Sequence, residues 1–570
     1  MSPRLLAGLL TAALSGASLL GAQPSWSAEP NATLNSELPP YLEHARRTFN
    51  VPGLAVGIVK DGQVVFEQGL GERNLEDHRP VSAHTQFCIA SNTKSFTATA
   101  LEILADQGKL RLEDRVIDHL PWFRMDDPYV TREMRLRDIL AHRSGLGSHA
   151  GDLLFVTPST YTTREIVERL RDVPLKSGFR SSFAYENIMY AVAALVIEQA
   201  SGESYADFVR EHIFAPVGMN ESHINATELT AADDVATPYA LRDGKLTALP
   251  ALVWKNNPGA AGIYSTIHDM NRWTAAQLDH GTPLLSAANQ QRMWSMITPI
   301  DIDLAPIAEL RPVQPNFLGY AEGWYVSDYA GQRLVWHTGE FPGMLSLVTL
   351  VPALNLGVVV LINQEADGVR DAITFHVLDT YLGRSVTDWV AAYAKANKPD
   401  PSLAPQAPPP ETQPAQPLPK YAGVYRDSWY GDVEVSVTRT ALRIRFKASP
   451  RLQGTLLPWG RDTFLARWDD RLLDADALVQ FTADPGGHIN GAAVRRIGTP
   501  HYILSDRDSI SHRGRSRVIP RHGRYSGGDA GSTAIGAPVI FTVDYVSTDL
   551  EEILEEAIHA AILAGPRGAT

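Results

Sequence analysis

Between Pro399 and Pro419 nearly every other residue is proline, glutamine or alanine. No other feature limits the fold of this 570-residue chain as strongly. A stretch of that composition lacks backbone donors and apolar side chains to bury, so it reads as a stiff, extended linker. The chain on either side must then build its own core. The break at 396–419 separates a larger domain, 31–390, from a smaller one, 420–508. Total length agrees, because a single core rarely organises so many residues.

The two parts differ in periodicity. Val433-Glu-Val-Ser-Val437 and Leu442-Arg-Ile-Arg-Phe446 alternate strictly, and Phe464, Trp468, Val479 and Phe481 follow. That pattern predicts a small antiparallel β domain. The larger part mixes helix and strand signals. Leu54 to Leu70 holds two apolar runs around Lys60-Asp61-Gly62-Gln63, a hairpin pattern. Helical spacing runs from about Thr93 to Gln107, closed by Gly108, and from Tyr190 to Ala200, closed by Ser201-Gly202. Gly262 to Met270 reads as a turn feeding a helix capped by Ser265 or Thr266. Leu334–Trp336, Leu345–Val351 and Gly357–Asn363 read as strands. In the last segment, 511–570, Arg, Gly and Ser dominate up to Ile535 and predict disorder. Thr548-Asp-Leu-Glu551 then opens a terminal helix that ends at Gly565.

The first 28 residues read as an export signal. Arg4 is the only charge before Glu29, and Leu5 to Ala22 is apolar and rich in small residues. Cleavage between Ala22 and Ala28 would give a periplasmic or secreted protein with no stable membrane insertion; an uncleaved anchor is the alternative. A net charge of −13 argues against nucleic acid and against an anionic membrane surface. Cys88 is the only cysteine, so no internal disulfide forms, and it reads as a small buried hydrophobe.

Chemistry concentrates in three places. In Ser91-Asn92-Thr93-Lys94 a serine lies three residues before a lysine, on the same helix face. A lysine held in a partly dry pocket is pushed toward its neutral form and accepts the serine's proton. The pair is thus a nucleophile with its own base. Tyr185-Glu186-Asn187 follows, and then His337-Thr338-Gly339, beside a sheet edge that can pair with an extended substrate. His142 and Ser144 read as a structural helix-end turn, and Lys176-Ser177-Gly178 as a chance Lys-Thr-Gly look-alike in a loop. Neither Gly-x-Ser-x-Gly nor His-Glu-x-x-His occurs, which argues against an α/β-hydrolase and a zincin.

The ordered trio resembles the motifs of penicillin-recognising serine enzymes. Leu136-Arg-Asp-Ile-Leu-Ala-His-Arg-Ser-Gly145, Phe183-Ala-Tyr-Glu-Asn187, Gly202 through Pro216-Val-Gly-Met219, and Gly262-Ile-Tyr-Ser-Thr266 extend the likeness over roughly Pro40 to Gly383. The chain is similar to the serine β-lactamase-like family, in its class C and esterase/D-aminopeptidase branch. Its second domain resembles the lipocalin-like module often appended there. The resemblance implies an α/β (α+β) fold: an antiparallel sheet flanked by helices beside an all-helical region, with the three motifs in one cleft. It implies Ser91 as nucleophile, Lys94 as base and Tyr185 as proton shuttle. It further implies Asn187, His337, Thr338, Gly339 and Glu340 as substrate contacts, with the N–H groups of Ser91 and Glu340 as oxyanion hole.

His337 departs from the lysine usual in true β-lactamases, and a mostly neutral histidine attracts a substrate carboxylate less. Family members with histidine there are more often esterases or peptidases acting on D-amino-acid substrates. The expectation is an exported serine hydrolase, free of cofactor and metal, acting on a small-molecule or peptide substrate that is an ester, amide or D-amino-acid-containing peptide. A class C-like β-lactamase or penicillin-binding protein is the alternative. A non-catalytic binding or sensor member is the rival of another class. The oligomeric state is left open.

Overall fold

The computed structural model describes residues 29–397, 414–496 and 539–544, apart from 158, 231, 243, 252, 386, 474 and 475. The expected export signal, most of the linker and the expected terminal helix lie outside the described residues. Among the described residues no helix is long and apolar enough to cross a membrane.

The larger domain is organised by one eight-stranded antiparallel sheet. Its strands are β1 (Gly53–Lys60), β2 (Gln63–Gly71), β3 (Leu318–Tyr320), β4 (Tyr325–Tyr329), β5 (Gln332–Phe341), β6 (Met344–Val351) and β7 (Leu356–Ile362). They lie in the order β2-β1-β7-β6-β5-β4-β3, with the two-residue strand Thr298–Pro299 at the β3 edge. The Lys60–Gln63 turn joins β1 to β2 as the sequence predicted, with Asp61 and Gly62 both at positive φ. The chain then leaves the sheet at Gly71 and returns only at Thr298. This excursion carries the helical region, which is not wholly helical as expected: Phe87–Cys88 pairs with Tyr264–Ser265, and Tyr239–Arg242 with Lys245–Ala248.

Why the central strands read as unbroken apolar runs is plain from their packing. Successive side chains of a strand point to opposite faces, and here both faces are covered. Leu54, Val56, Ile58, Val358, Val360 and Ile362 enter one core. They meet α1 (Glu29–Thr48), α5 (Asp367–Tyr381) and α6 (Trp389–Ala396) through Leu38, Leu42, Val369, Ile373, Val377 and Trp389. Ala55, Val59, Val359 and Leu361 face the second core, with Met270 and Trp273 of α4 (Ile267–Leu278). Each fully buried aliphatic side chain contributes about 1.5–3 kcal/mol.

The helices that carry the motifs begin where local chemistry dictates. α2 (Thr93–Asp106) stops two residues before Gly108, whose φ of +70° turns the chain out of the helix. Thr266, not Ser265, caps α4 by accepting the Asp269 N–H at 3.1 Å. α3 (Asn187–Ser201) starts three residues before the predicted Tyr190, so the second motif forms its N-terminus.

The smaller domain is a barrel. Seven strands, from Gly423–Asp427 to Ile489–Arg496, pair antiparallel in sequence. An odd number leaves the first and last running in the same direction. Val539–Asp544 enters between them, parallel to both, and closes the barrel. Sequence reading assigned this segment to a tail of disorder and helix; a lone apolar run has no local partner, so periodicity alone missed the strand. Tyr421, Tyr425, Ile444, Phe446, Phe464, Trp468 and Phe481 are buried in the barrel domain. The linker does not isolate the two domains: their buried side chains form one contiguous cluster.

Arg370 of α5 joins helix to sheet. It is 1% exposed, and its guanidinium donates to the Gly339 and Ser346 carbonyls at 3.3 Å and to Glu340 Oε1 at 2.7 Å. Asp367 adds a second carboxylate at 2.7 Å. Arg370→Met removes that buried cation and its donors together. It is expected to cost about 3–5 kcal/mol, read as a lower midpoint in urea unfolding at unchanged slope.

Candidate active site

Ser91 lies in a 3-10 turn, Ala90–Asn92, that runs directly into α2. Ala90 has a φ of +46°, a conformation that costs a side-chain-bearing residue energy and is retained where the surroundings enforce it. The enforcement is visible. Ile89 N–H donates to the Ile263 carbonyl at 3.0 Å. Ser346 Oγ of β6 donates to the Ile89 carbonyl at 2.7 Å and accepts from Asn92 Nδ2 at 2.8 Å. Gly339 completes the seat, since a Cβ there would run into the Ile89 carbonyl oxygen and Ser346 Oγ. The third motif needs glycine so that the strand can touch the turn that carries Ser91.

Lys94, the second residue of α2, is fully buried. Its Nζ lies 3.0 Å from Ser91 Oγ, 2.7 Å from Asn187 Oδ1 and 3.1 Å from the Ala260 carbonyl oxygen. The last two atoms only accept, so they fix two of the amine's hydrogens. In the neutral amine the remaining lone pair faces the serine hydroxyl. Tyr185 is 6% exposed, with its ring centroid 4.7 Å from Lys94 Nζ. Asn187 is turned by its other side: Nδ2 donates to Asp152 Oδ2 at 2.7 Å. The structure thus brings Ser91, Lys94, Tyr185 and Asn187 into one cluster.

The third motif lies inside β5, and its edge is open. β5 pairs with β4 only as far as Trp336, whereas its pairing with β6 continues to Phe341. The two-residue turn after Phe341 makes Phe341 and Met344 the closing hydrogen-bonded pair, and pairs then alternate. The N–H groups of Thr338 and Glu340 therefore point to the open edge. The Glu340 carboxylate is turned the other way, onto Arg370.

His337 differs from the expected substrate contact. It is 1% exposed, and both ring nitrogens are engaged. Nδ1–H donates to the Thr338 carbonyl at 2.5 Å, and Nε2 accepts from the Tyr320 hydroxyl at 2.8 Å. Burial, with Lys94 nearby, lowers its pKa to about 3, so the ring is neutral and lies behind the strand edge. His142 is held neutral by the same two causes and packs 4.4 Å from the Tyr185 ring. Its Nδ1 accepts the Glu186 N–H at 3.0 Å, while Ser144 Oγ donates to Glu186 Oε1 at 2.7 Å. Burial pushes the Glu186 carboxyl up to about 8. This cluster backs the second motif, as the structural reading of His142 and Ser144 had it. Lys176-Ser177-Gly178 folds as a turn against Gly145, off the sheet. The Cys88 thiol is buried and pushed up to about 12, so it is no nucleophile.

Sequence reasoning missed Asp152, His149, Ser346 and Arg370. None stands in a motif; each reaches the site only through the fold. Among the described residues, Glu203, Glu211 and His212 are the one group spaced to hold a metal ion, and they are not among the residues of this cluster.

Comparison with known proteins follows this geometry. Residues 41–381 match the Beta-lactamase family, and residues 407–505 match a domain of unknown function, DUF3471. An unguisins hydrolase, ungD', of Aspergillus campestris is 26% identical, over 77% of this chain and 85% of its own. Protein flp of Staphylococcus aureus is 28% identical, over 58% of this chain and 63% of its own. The octameric penicillin-binding protein homologue from Pyrococcus abyssi has the same fold, with a TM-score of 0.55 and 22% identity. It aligns over 78% of this chain and 96% of its own. EstCE1, a hydrolase with promiscuous acyltransferase activity, also shares the fold. Its TM-score is 0.51 at 19% identity, over 62% of this chain and all of its own. The chain belongs to the beta-lactamase family, and it shares its fold with the penicillin-binding protein homologue and with EstCE1.

Proposed function

We propose that this chain is an exported serine hydrolase that acts through an acyl-enzyme at Ser91 on an ester, an amide or a D-amino-acid-containing peptide. The observation that carries the reading is the Lys94 amine, wholly buried and 3.0 Å from Ser91 Oγ. In this reading Ser91 Oγ attacks the substrate carbonyl carbon while its proton passes to Lys94 Nζ. The oxyanion is held by the N–H groups of Ser91 and Glu340. Tyr185 carries the proton on to the leaving alkoxide or amine, whose bond to the acyl carbon breaks. A water then attacks the acyl-enzyme by the same path in reverse. The substrate backbone lies along the open edge of β5. A relative named as a hydrolase, aligned over 77% of this chain and 85% of its own, supports a hydrolytic role.

The neutral, buried His337 favours substrates without a carboxylate at that position over β-lactams. A β-lactamase or penicillin-binding activity is thus the second reading. A purely binding role is disfavoured by the buried amine at the serine, which a binding cleft does not require.

A fluorophosphonate is expected to add once per chain, at Ser91, by intact-protein mass. Ser91→Ala should abolish the adduct; an unchanged adduct would assign the nucleophile elsewhere. Lys94→Ala and Tyr185→Phe should each lower kcat by about two to four orders of magnitude. Because both serve one proton path, the double variant should be little worse than the slower single one. Full additivity would show that they act separately.

His337 gives a pH test. A histidine at its ordinary value would gain charge on acidification toward pH 5, and preference for anionic substrates would rise. With its pKa near 3 it stays neutral there, so the kcat/KM ratio of a carboxylate-bearing ester to its neutral analogue should stay flat from pH 8 to pH 5. A ratio that climbs below about pH 6.5, the unperturbed histidine value, would contradict the buried, neutral ring.

A further inference from the structure

The barrel reaches the proton-transfer cluster through one segment of the larger domain, residues 147–161. At the tip of the first barrel hairpin, the Trp429 and Tyr430 N–H groups donate to Asp427 Oδ1 at 2.8 and 2.6 Å, which fixes the turn. Trp429 is 7% exposed and lies on Gly151. Gly151 has a φ of +85°, and a Cβ there would run into the indole ring. Beside this contact, Arg169 Nη1 donates to the Ser428 carbonyl at 2.9 Å, and the Thr160 N–H donates to the Ala448 carbonyl at 2.8 Å. From the opposite side Asn256 Nδ2 donates to the Ser159 and Tyr161 carbonyls at 3.1 and 2.7 Å. The segment is clamped between the two domains.

What the clamp holds is next to Gly151. Asp152 is 2% exposed, and its Oδ2 accepts from Asn187 Nδ2 at 2.7 Å and lies 2.9 Å from His149 Nδ1. The His149 N–H donates to the Tyr185 carbonyl at 2.7 Å. A side-chain amide has one accepting and one donating end. An acceptor at Asp152 therefore dictates that Asn187 turns its oxygen to Lys94 Nζ.

We infer that the barrel is a working part of the active site: Trp429, seated on Gly151, holds Asp152 where it orients Asn187 and hence the Lys94 amine. Asp152 and Trp429 are positioning residues, acting through Asn187 on proton transfer at Ser91. The inference rests on the proposed role of Ser91 and Lys94 and deepens it. It also gives the appended domain a task that needs no ligand of its own.

The test uses full-length variants Trp429→Ala, Trp429→Phe, Asp152→Ala and Asp152→Asn, with p-nitrophenyl esters as substrate. Trp429→Ala and Asp152→Ala should each lower kcat roughly 10- to 100-fold, within the reach of a misplaced proton-transfer group, and leave KM within about twofold. Asn retains an acceptor and Phe retains a ring, so Asp152→Asn and Trp429→Phe should recover most of the loss. A fall in KM-linked binding with kcat intact, or conservative variants no better than alanine, would overturn the positioning role. Hydrogen exchange reads the clamp without any activity. Trp429→Ala should speed exchange across 147–161 and leave α5 protected. Unchanged exchange there would overturn the contact as a clamp, whatever the esters show. Should wild type neither turn over esters nor be labelled at Ser91, the proposed function fails, and the exchange result alone still decides the clamp.

Discussion

The amine of Lys94 is the point on which this structure turns. A buried lysine is costly unless its hydrogens are taken up and its charge is released or matched. Here three surrounding elements supply contacts: the turn with Ser91, the start of α3 with Asn187, and the segment with the Ala260 carbonyl. Asn187 and Ala260 are remote from Lys94 in sequence, so the amine finds those two partners only in the folded chain. The long excursion between β2 and the returning strands exists, in this sense, to deliver them.

The sheet supplies the other half of the arrangement. Covering both faces with helices makes it rigid, and β5 outruns β4 at one end. That leaves backbone N–H groups at an open edge beside the Ser91 turn. The close approach depends on Gly339, and Ser346 locks the turn to β6 with two hydrogen bonds. Arg370 in turn braces this end of β5 from α5. In the proposed reaction these N–H groups are already aimed at the open edge before a substrate binds.

Much of this was legible in the sequence, for identifiable reasons. Strict alternation gave the barrel strands, and the turn chemistry of Asp61-Gly62 gave the first hairpin. The Ser91–Lys94 pair is local, so spacing alone predicted its contact. His337 was readable as a motif member but not as a buried one: exposure depends on Tyr320, whose hydroxyl draws the ring under the edge. Asp152 carried no local signal at all. Its meaning comes from Asn187, Gly151 and Trp429, the last lying far along the chain past the linker. The closing barrel strand Val539–Asp544 escaped for a like reason, since its partners are Gly423–Asp427 and Ile489–Arg496. Local periodicity sees a strand's face, not its neighbour.

The most direct test of the account is the rate at which a fluorophosphonate phosphonylates Ser91, with loss of fluoride, in wild type and in Lys94→Ala, followed by intact-protein mass. Buffers of small primary amines are then added to the variant. If the buried amine is the base, phosphonylation should slow by about 100-fold or more without it, and methylamine should restore part of the rate as its free-base fraction rises. A folded Lys94→Ala protein whose Ser91 is phosphonylated as fast as in wild type would contradict the account.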